Sequence, residues 1–529
     1  MTKWTNEQIN VFDASGNVLV YASAGSGKTS VMVKKIVDDV VKGVPVKDIL
    51  VVSYTKASAT DMRLKIINAL FDVAKDENVK NVDKIREEID NLPFAEIGTM
   101  DSFLGRLIKE NFEYLKISPK AQQMDETESK DMKRRALKKV MNDEYEKQAE
   151  DFIRVASRAS GIVDDTPLSE IVLRIYDAIS INPRPDEFKA LLLSSVTDNP
   201  DSVYGKVILD FYRDLAAETL PFVKRAIDVT SLEGAPVYAA ALGHSVETLE
   251  ELSDMCTAND AKKIIERYVK PNFRGGKPKI SDEDKALVAT ARDKTAEIIE
   301  NLSEKLFVDY TNYNVNDAKE FMRVVMRVVE EFDREYERLK KRENKIDFAD
   351  LSKYAVKLLK DESRREEIRQ KFSLVFVDEY QDINPLQEEI LLKITDGNLF
   401  MVGDVKQSIY AFRNADSKIF TDKKKSFETG RSQGRALPMT ANFRSEKGVL
   451  EFVDRVFSGI MTLTHGGGDY KNESLFLKDG FTGEMSKNAR IMLVKNDPSR
   501  EETEISGVYS VMSHERNSSL DEISGYTEG

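Results

Sequence analysis

The amino-acid sequence predicts an α/β protein built on a parallel β-sheet. Three units, each an apolar strand followed by a loop and a helix, lie within residues 1–105. Two further apolar runs that end in polar residues follow residue 346. Between these parts, residues 106–345 carry apolar residues at helical spacing, which predicts an inserted helical domain. We therefore expect one sheet domain from 1–105 and 346–440, a helical insert at 106–345, and the start of a second α/β domain at 441–529.

A glycine-rich loop joins the first predicted strand, 18–20, to the first predicted helix, 30–37. Backbone N–H groups can converge on phosphates only where side chains are small. The residues expected to cradle the phosphates are Ala22, Ser23, Ala24, Gly25, Ser26 and Gly27, while Lys28 reaches the outer phosphates and Thr29 holds Mg²⁺. Ala22 stands where the usual pattern has its first glycine, and the alternative interpretation is an accidental Gly/Ser turn.

Composition indicates an ordinary soluble protein, with 41% hydrophobic and 32% charged residues among 529. No apolar run is long enough to span a membrane, and the N-terminus has no signal-peptide pattern, so we expect a cytoplasmic protein without membrane contact. The net charge of −13 argues at first sight against nucleic-acid binding, yet a basic channel can lie on an acidic body. One cysteine and three histidines exclude an internal disulfide and a zinc or iron–sulfur site, and Cys256 is expected to be buried or half-buried.

Aromatic and polar residues follow the next predicted strands. The apolar run 48–53 ends in Tyr54, Thr55 and Lys56, and the run 95–98 leads into Thr99-Met-Asp-Ser-Phe103. Because the carboxyl ends of parallel strands form one edge of a sheet, Tyr54 and Lys56 are positioned to meet a ligand. In the helical part, Lys262 to Lys279 combines seven Lys and Arg residues with two aromatic residues. A nucleic-acid contact and a solvated basic loop are equal alternatives for that stretch.

An acidic pair, Asp378 and Glu379, ends the predicted strand 372–377. In a magnesium–nucleotide site, Asp378 can hold the metal and Glu379 can orient and deprotonate the attacking water. Either carboxylate alone would be an ordinary charge at the end of a strand. Because the acidic pair is predicted on the same sheet as the loop that ends in Lys28 and Thr29, it favours an ATP site.

The predicted strand 399–402 leads into a loop that contains Gln407, Tyr410 and Phe412. Such a loop can touch a nucleotide on one side and polymer bases on the other, since stacking of an aromatic side chain on a base contributes about 1–3 kcal/mol whatever the sequence. The alternative, in which these aromatic residues pack into the core, is equally open. Further along, Arg444 can reach a γ-phosphate from a neighbouring domain.

These motifs, in this order, resemble those of the superfamily-one DNA helicases of the UvrD, PcrA and Rep kind. The matching residues are Gln8, Ala22–Thr29, Ser53–Met62, Thr99–Phe103, Asp378–Asp382, Gly403–Arg413 and Asn442–Ser445. Within that family the sequence is most similar to the AddA-type, RecB-like helicase–nuclease subunits, on residues 378–387, 399–413 and 442–445.

The resemblance implies a RecA-like fold that uses ATP and Mg²⁺ to move from the 3′ toward the 5′ end of single-stranded DNA. It implies that Gln8 and Phe443 hold adenine, Lys28 and Thr29 serve phosphate and Mg²⁺, Asp378 holds the metal, Glu379 activates water, Gln407 senses the γ-phosphate and Arg444 is an arginine finger. Tyr54, Thr55, Tyr410 and Phe412 would meet the DNA strand. The resemblance also implies an AddB-like partner subunit, with a role at duplex ends in double-strand break repair and recombination.

Three departures from the family pattern bear on these roles. Asp101 stands where many relatives have His, so a DNA contact there is expected to differ. Lys56 replaces a common Asn and can add a phosphate contact. The sequence stops at Gly529, and Ala489 to Val494 is expected to begin the second domain, without the later helicase motifs or a nuclease domain.

The leading hypothesis is the amino-terminal half of an AddA-type helicase, with little or no ATP hydrolysis by this chain alone. A second hypothesis is a non-hydrolysing ATP- and DNA-binding module completed by another chain, and a fragment of a UvrD-type repair helicase is a third. A P-loop kinase or metabolic ATPase gives no reason for three aromatic residues, Tyr54, Tyr410 and Phe412, at strand ends of one sheet.

Overall fold

The structure is a computed structural model that describes residues 4–76, 81–159, 165–197, 199–232, 236–272, 281–307, 315–445, 447–461 and 470. The expected strand at Ala489 to Val494 therefore lies outside the described residues. The strands are β1 (Val18–Ala22), β2 (Ile49–Ser53), β3 (Glu96–Thr99), β4 (Gln122–Gln123), β5 (Lys345–Ile346), β6 (Leu374–Val377), β7 (Leu399–Gly403) and β8 (Arg435–Met439).

The helices of the first half are α1 (Asn6–Phe12), α2 (Lys28–Val41), α3 (Lys56–Ala74), α4 (Val82–Asn91), α5 (Met100–Glu110), α6 (Phe112–Leu115), α7 (Glu126–Glu146), α8 (Glu150–Ala159), α9 (Thr166–Ser180), α10 (Pro185–Ser195) and α11 (Val203–Leu232). Those of the second half are α12 (Pro236–Asp254), α13 (Ala258–Arg267), α14 (Asp282–Leu306), α15 (Val315–Glu343), α16 (Phe348–Leu358), α17 (Glu362–Lys371), α18 (Pro385–Ile394), α19 (Ser417–Glu428) and α20 (Lys447–Ile460).

Six strands form one sheet in the order β3-β2-β6-β7-β1-β8, and every neighbouring pair is parallel. The predicted parallel α/β fold is confirmed. All five residues of β2 and of β7 are buried, as expected where helices cover both faces of a parallel sheet. Because the strands run in one direction, the loops after β1, β2, β6 and β7 all leave the same edge of the sheet.

Two apolar cores cover the two faces of this sheet. One packs α5, α16 and α18 against residues such as Leu50, Val375 and Met401, and the other packs α2 and α3 against residues such as Val51, Phe376 and Phe400. The alternation of inward-facing residues along each strand follows from the two-residue period of the strand. The sheet is thus held rigidly from both sides, which fixes the loops at its edge.

The described residues between α5 and β6 are helical apart from two short strands. Gln122 and Gln123 pair in parallel with Lys345 and Ile346, a detail that the prediction of a helical insert did not include. The chain passes from the sheet domain into the helical part near Gln122 and returns near Lys345. These two connecting segments therefore lie side by side. Two separate apolar cores stabilise the helices, one around α7, α8, α9 and α15 and one around α11 to α14.

A buried ionic cluster lies where α15 leads back toward the sheet. Lys340 is 2% exposed, and its Nζ donates to Asp350 Oδ1 at 2.6 Å and lies 4.0 Å from Asp347 Oδ2. The Tyr336 hydroxyl donates to Asp347 Oδ2 at 2.9 Å. Buried charges are tolerated only when they are paired and hydrogen-bonded, so this cluster ties α15 to α16.

Cys256 is exposed, and the prediction that it is buried or half-buried was wrong. It lies in the turn between α12 and α13, where the preceding residue, Met255, takes the core position instead. None of the helices among the described residues has the length and apolar character needed to cross a membrane.

Candidate ATP site and nucleic-acid interface

The glycine-rich loop leaves the end of β1 and turns directly into α2. Gly25 and Gly27 have φ angles of +72° and +84°, a region that other residues enter only at a cost of about 1–2 kcal/mol. Lys28 is the first residue of α2 and Thr29 the second. Ala22 is the last residue of β1 and is buried, so the loop itself starts at Ser23. The free N–H groups and positive end of α2 make this turn suitable for an anion.

Three successive carbonyl groups of the loop accept hydrogen bonds from other segments. Ala24 O accepts from Asn442 Nδ2 at 2.5 Å, Gly25 O accepts from the Phe443 N–H at 2.9 Å, and Ser26 O accepts from Gln8 Nε2 at 3.2 Å. Their carbonyl oxygens are thereby satisfied within the protein. Loop geometry is consequently held by residues near both ends of the described chain. Asn442 has this role although no sequence signal points to it beyond its place beside Phe443 and Arg444.

Gln8 is 5% exposed and lies beside the loop. Its Oε1 accepts a hydrogen bond from the Thr5 N–H at 3.0 Å, closing a capping box at the start of α1. Both ends of the Gln8 amide are therefore engaged beside the loop. Phe443, whose N–H donates to the same loop, is 46% exposed. Adenine binding by these two residues stays a prediction.

Lys28 is directed at the acidic pair at the end of β6. Its Nζ lies 3.5 Å from Glu379 Oε2. Among the described residues, buried Lys28 Nζ and Ser26 Oγ have no hydrogen-bond partner. Buried polar atoms are nearly always paired in native proteins, so a cluster of unpaired donors beside a helix N-terminus indicates room for anionic oxygens.

Asp378 and Glu379 leave β6 in a strained turn. Glu379 has φ +53° and ψ +47°, the left-handed region that costs a residue other than glycine about 1–2 kcal/mol. Its N–H donates to Asp378 Oδ1 at 3.1 Å. Burial, followed by the charge of Glu379, raises the pKa of Asp378 to about 6, while Lys28 acts in the opposite direction. Strain and a perturbed carboxyl group at one point are typical of functional sites.

Oxygen donors of the kind that bind Mg²⁺ lie on elements at this end of the sheet. Asp378 offers a carboxylate at the end of β6, and Thr29 offers a hydroxyl in the first turn of α2. Hard oxygen ligands are those that Mg²⁺ prefers, usually together with substrate phosphates. Asp378 and Glu379 are adjacent carboxyl groups, and the single positive charge of Lys28 cannot neutralise both of them.

The loop after β7 meets the loop after β6 through a side chain that sequence analysis missed. Gln381 is 1% exposed, and its Oε1 accepts from the Asp404 N–H at 2.9 Å. Asp404 Oδ2 in turn accepts from Gln407 Nε2 at 2.8 Å. Asp404 follows a buried strand directly, which is a sequence signal that could have identified it. Gln381 gives no such signal, because only the fold brings it to Asp404.

Arg444 lies against the glycine-rich loop. A Cβ atom added to Gly25 would lie 2.8 Å from Arg444 Cβ and 2.8 Å from Asn442 Nδ2. The Arg444 N–H donates to Asn442 Oδ1 at 2.9 Å, so Asn442 joins this segment to the loop. The structure thus brings Arg444 close to the loop, as a γ-phosphate contact requires. The finger role itself stays a prediction.

Aromatic rings form a stack at the same edge of the sheet. Tyr54 and Tyr410 are stacked with ring centroids 4.2 Å apart and an interplanar angle of 28°. The Phe412 ring lies 5.9 Å from that of Tyr410 and is 76% exposed, so packing into the core is excluded for Phe412. These residues follow β2 and β7, which flank β6. The aromatic stack, Tyr54, Tyr410 and Phe412, therefore straddles the strand that carries the acidic pair.

Three other residues predicted to contact DNA lie at the starts of helices. Thr55 is the N-cap of α3, where its Oγ1 accepts from the Ser58 N–H at 3.0 Å. Lys56 is exposed at the first residue of α3, and Asp101 is half-buried in the first turn of α5. All three are close in sequence to strand ends of the edge that carries the aromatic stack. Their DNA contacts stay predictions.

The basic stretch Lys262 to Lys279 is described only up to residue 272. Lys262 and Lys263 are exposed on α13, whereas the ring of Tyr268 stacks on His244 with centroids 5.8 Å apart. One of its two aromatic residues is therefore half-buried and packs against the helical core. The remainder, including Phe273, lies outside the described residues.

Residues 4–428 match the UvrD/REP helicase N-terminal domain family. Curated relatives whose names describe one subunit of an ATP-dependent helicase/nuclease are similar over most of the chain. The relative from Alkaliphilus oremlandii (strain OhILAs) is 32% identical over 491 residues, covering 89% of this chain and 40% of the relative. Those from Alkaliphilus metalliredigens (strain QYMF) and Clostridioides difficile (strain 630) are 31% and 30% identical, covering 87% of this chain in each case and 40% and 39% of the relative.

The chain thus spans about two fifths of the length of these relatives. The family match includes the glycine-rich loop, the acidic pair and the aromatic stack, which the fold brings to one edge of the sheet. On this basis the chain belongs to the UvrD/REP helicase family.

Proposed function

We propose that this chain forms the ATP-binding and single-strand-binding part of an ATP-dependent DNA helicase. One observation carries the proposal: β6, which ends in the acidic pair, lies between β2 and β7, whose ends carry the stacked Tyr54 and Tyr410. A nucleotide at Lys28 and a DNA base on the aromatic stack would then be bound by adjacent loops. A kinase or metabolic ATPase has no use for half-buried stacked rings, with an exposed third ring, beside its phosphate loop.

At the ATP site, the loop from Ser23 to Gly27 would surround the phosphates with its N–H groups, and Lys28 would neutralise the outer phosphates. Thr29 and Asp378 would hold Mg²⁺, which when bound supplies charge neutralisation at the transferred phosphoryl group. Glu379 would orient and deprotonate the attacking water. The 3.5 Å separation of Lys28 Nζ and Glu379 Oε2 supports these roles, because both groups must face one γ-phosphate.

Other residues would complete the nucleotide site. Gln407 would sense the γ-phosphate, Arg444 would stabilise its charge, and Gln8 with Phe443 would hold the adenine. Support comes from the contacts of Gln8 and Phe443 with the loop carbonyls, since both residues already lie beside the phosphate site.

Single-stranded DNA would lie along the same edge of the sheet. Tyr410 and Phe412 would stack on bases, with Tyr54 supporting Tyr410, because ring stacking tolerates any base. Thr55, Lys56 and Asp101 would contact the strand beside them, and Lys56 would add a phosphate contact. Phe412, with 76% of its surface exposed, is the ring most accessible to a base.

The wider role is proposed from the family and from the names of the relatives, which include both helicase and nuclease. We propose 3′-to-5′ movement on single-stranded DNA, starting at duplex ends, in a cytoplasmic complex with an AddB-like partner that acts in double-strand break repair and recombination. Residues 1–105 and 346–440 would form a RecA-like domain around the helical insert 106–345, and 441–529 would begin a second one.

The proposal is tested by binding of a fluorescent oligo-dT strand and of a Mg²⁺-bound fluorescent ATP analogue to the full chain, each measured by anisotropy. We expect both to bind, and the affinity for the strand to fall as salt rises. A blunt duplex of the same length serves as the comparison. Nucleotide binding without any affinity for the oligonucleotide would contradict the helicase assignment and favour a metabolic ATPase.

A further inference from the structure

Gln381 lies in a single buried helical turn, Tyr380–Asp382, directly after the acidic pair. Its side chain makes three hydrogen bonds. Its Nε2 donates to Glu379 Oε2 at 2.9 Å and to Asp382 Oδ2 at 3.2 Å, and its Oε1 accepts from the Asp404 N–H at 2.9 Å. One amide therefore joins the loop after β6 to the loop after β7.

The approach of these two loops depends on Gly403. A Cβ atom on Gly403 would lie 2.5 Å from Gln381 Oε1 and 2.8 Å from the ring of Phe420. Contacts below 3.0 Å are not tolerated, so any larger residue would move the Gln381 amide away from Asp404. The position of the Gln381 amide thus requires a residue as small as glycine at Gly403, the last residue of β7.

Two short paths lead outward from Gln381. On one side Glu379 Oε2 lies 3.5 Å from Lys28 Nζ, at the phosphate loop. On the other side Asp404 accepts from Gln407 Nε2, and the Ser408 hydroxyl donates to the Gln381 carbonyl oxygen at 3.4 Å. Tyr410 follows two residues later and stacks on Tyr54. Hydrogen bonds and an ion pair therefore connect the phosphate loop to Ser408, and the chain from Ser408 to Tyr410 completes the path to the aromatic stack.

We propose that Gln381 is a positioning residue that couples the nucleotide at Lys28 to the strand on the aromatic stack. The inference rests on the proposed function. A phosphate draws Lys28 toward itself and away from Glu379, which repositions the acceptor of Gln381 Nε2. Because the amide is planar and rigid, its Oε1 and the Asp404 N–H shift with it. Coupling between two ligands requires such an element, whose arrangement both ligands bias.

The coupling is measured as the ratio of oligo-dT dissociation constants without and with a saturating, Mg²⁺-bound, non-hydrolysable ATP analogue. For the wild-type chain we expect the ratio to depart from one by at least about fivefold. In Gln381→Met, which keeps the volume but loses all three hydrogen bonds, the ratio should fall to about one. Because the ratio is taken within one variant, changes in either separate affinity cancel.

Gly403→Ala provides a second route to the same effect, since it displaces the Gln381 amide without changing it, and its ratio should also approach one. Gln433→Met, at an exposed position in the turn before β8, is the matched control and should keep the wild-type ratio. Thermal unfolding identifies a variant that is merely unstable, in which case the other variant decides.

Two results would overturn the inference while leaving the proposed function intact: a wild-type ratio of one with both ligands bound, or a wild-type ratio in folded Gln381→Met and Gly403→Ala. A chain that binds neither ligand contradicts the proposed function and the inference together.

Discussion

Tyr54 stacks on Tyr410 across the end of β6, with ring centroids 4.2 Å apart. Loss of either ring removes stacking area from the proposed strand site, which is worth about 1–3 kcal/mol per base. We therefore expect Tyr54→Ala and Tyr410→Ala each to weaken oligo-dT binding about tenfold, measured by anisotropy. In the double variant, the loss of oligo-dT affinity should be smaller than the product of the two single losses, because the two rings support each other.

Tyr204→Ala is the matched control, since Tyr204 is an exposed tyrosine on α11. Tyr410→Phe keeps the ring and should bind the strand almost as well as wild type. If removal of Tyr204 weakens oligo-dT binding as much as removal of Tyr410, the aromatic stack is not the strand site.

Gly25→Ala should weaken ATP-analogue binding by about tenfold or more, because a Cβ there collides with Arg444 and Asn442 in a backbone region that favours glycine. Gly43→Ala shares a positive φ, +105°, but its Cβ would meet no described atom within 4 Å. That control should lose some stability and keep its nucleotide affinity. Equal affinities in the two variants, measured by titration with the fluorescent analogue, would show that the loop geometry is unimportant.

Lys340→Met should destabilise the protein by about 3–5 kcal/mol, because it leaves the buried carboxylates of Asp347 and Asp350 without their cation. Lys341→Met, at the exposed neighbouring position, should change the free energy of unfolding by no more than about 0.5 kcal/mol. Chemical denaturation measures both. Adding Asp350→Leu to Lys340→Met should recover part of the loss, and a double variant less stable than Lys340→Met would contradict the assigned pairing.

The same cluster predicts a pH dependence of stability. Burial, followed by the charge of Asp347, raises the pKa of Asp350 to about 6, above its ordinary value of 3.8. Between these two values the folded state binds more protons than the unfolded state, so this group's contribution to stability falls as pH rises. The pKa of Asp347 is lowered, so its own effect on the pH dependence of stability falls below this pH range. The pKa of Lys340 is raised, so Lys340 stays protonated throughout the range.

Asp350→Asn removes the titrating group. The unfolding free energy of the wild type should therefore fall relative to that of Asp350→Asn as pH rises from about 4 to about 6. Denaturant unfolding at several pH values measures it. A difference that is constant over this range, or that shifts in favour of the wild type, would contradict the raised pKa.

Local patterns were sufficient to predict the sheet and the edge that carries the site. The strands before Ser23, Tyr54 and Asp378 are continuous apolar runs that end in polar or glycine residues, and parallel strands necessarily bring such ends together. This is why the loop, the acidic pair and the aromatic residues could be expected at one edge before the order of the strands was known.

What the sequence could not reveal are contacts between distant segments. Asn442 reaches the Ala24 carbonyl, and Gln381 reaches Asp404, only because strand order places them together. The pairing of Gln122 with Lys345 is equally non-local, and two residues are too few for a strand pattern. Exposure of Cys256 was missed because a one-residue change of position in a turn decides which neighbour enters the core.

The proposed function requires that Lys28 and its loop bind a nucleoside triphosphate at the edge of the sheet shared with the aromatic stack. Isothermal titration of the full chain with a Mg²⁺-bound, non-hydrolysable ATP analogue tests it most directly. We expect one site in the wild-type chain, binding about tenfold or more weaker in Lys28→Ala, and unchanged binding in Lys34→Ala, whose side chain pairs with Asp38 on α2. Absence of binding to the wild-type chain, or equal affinity in Lys28→Ala, would contradict it.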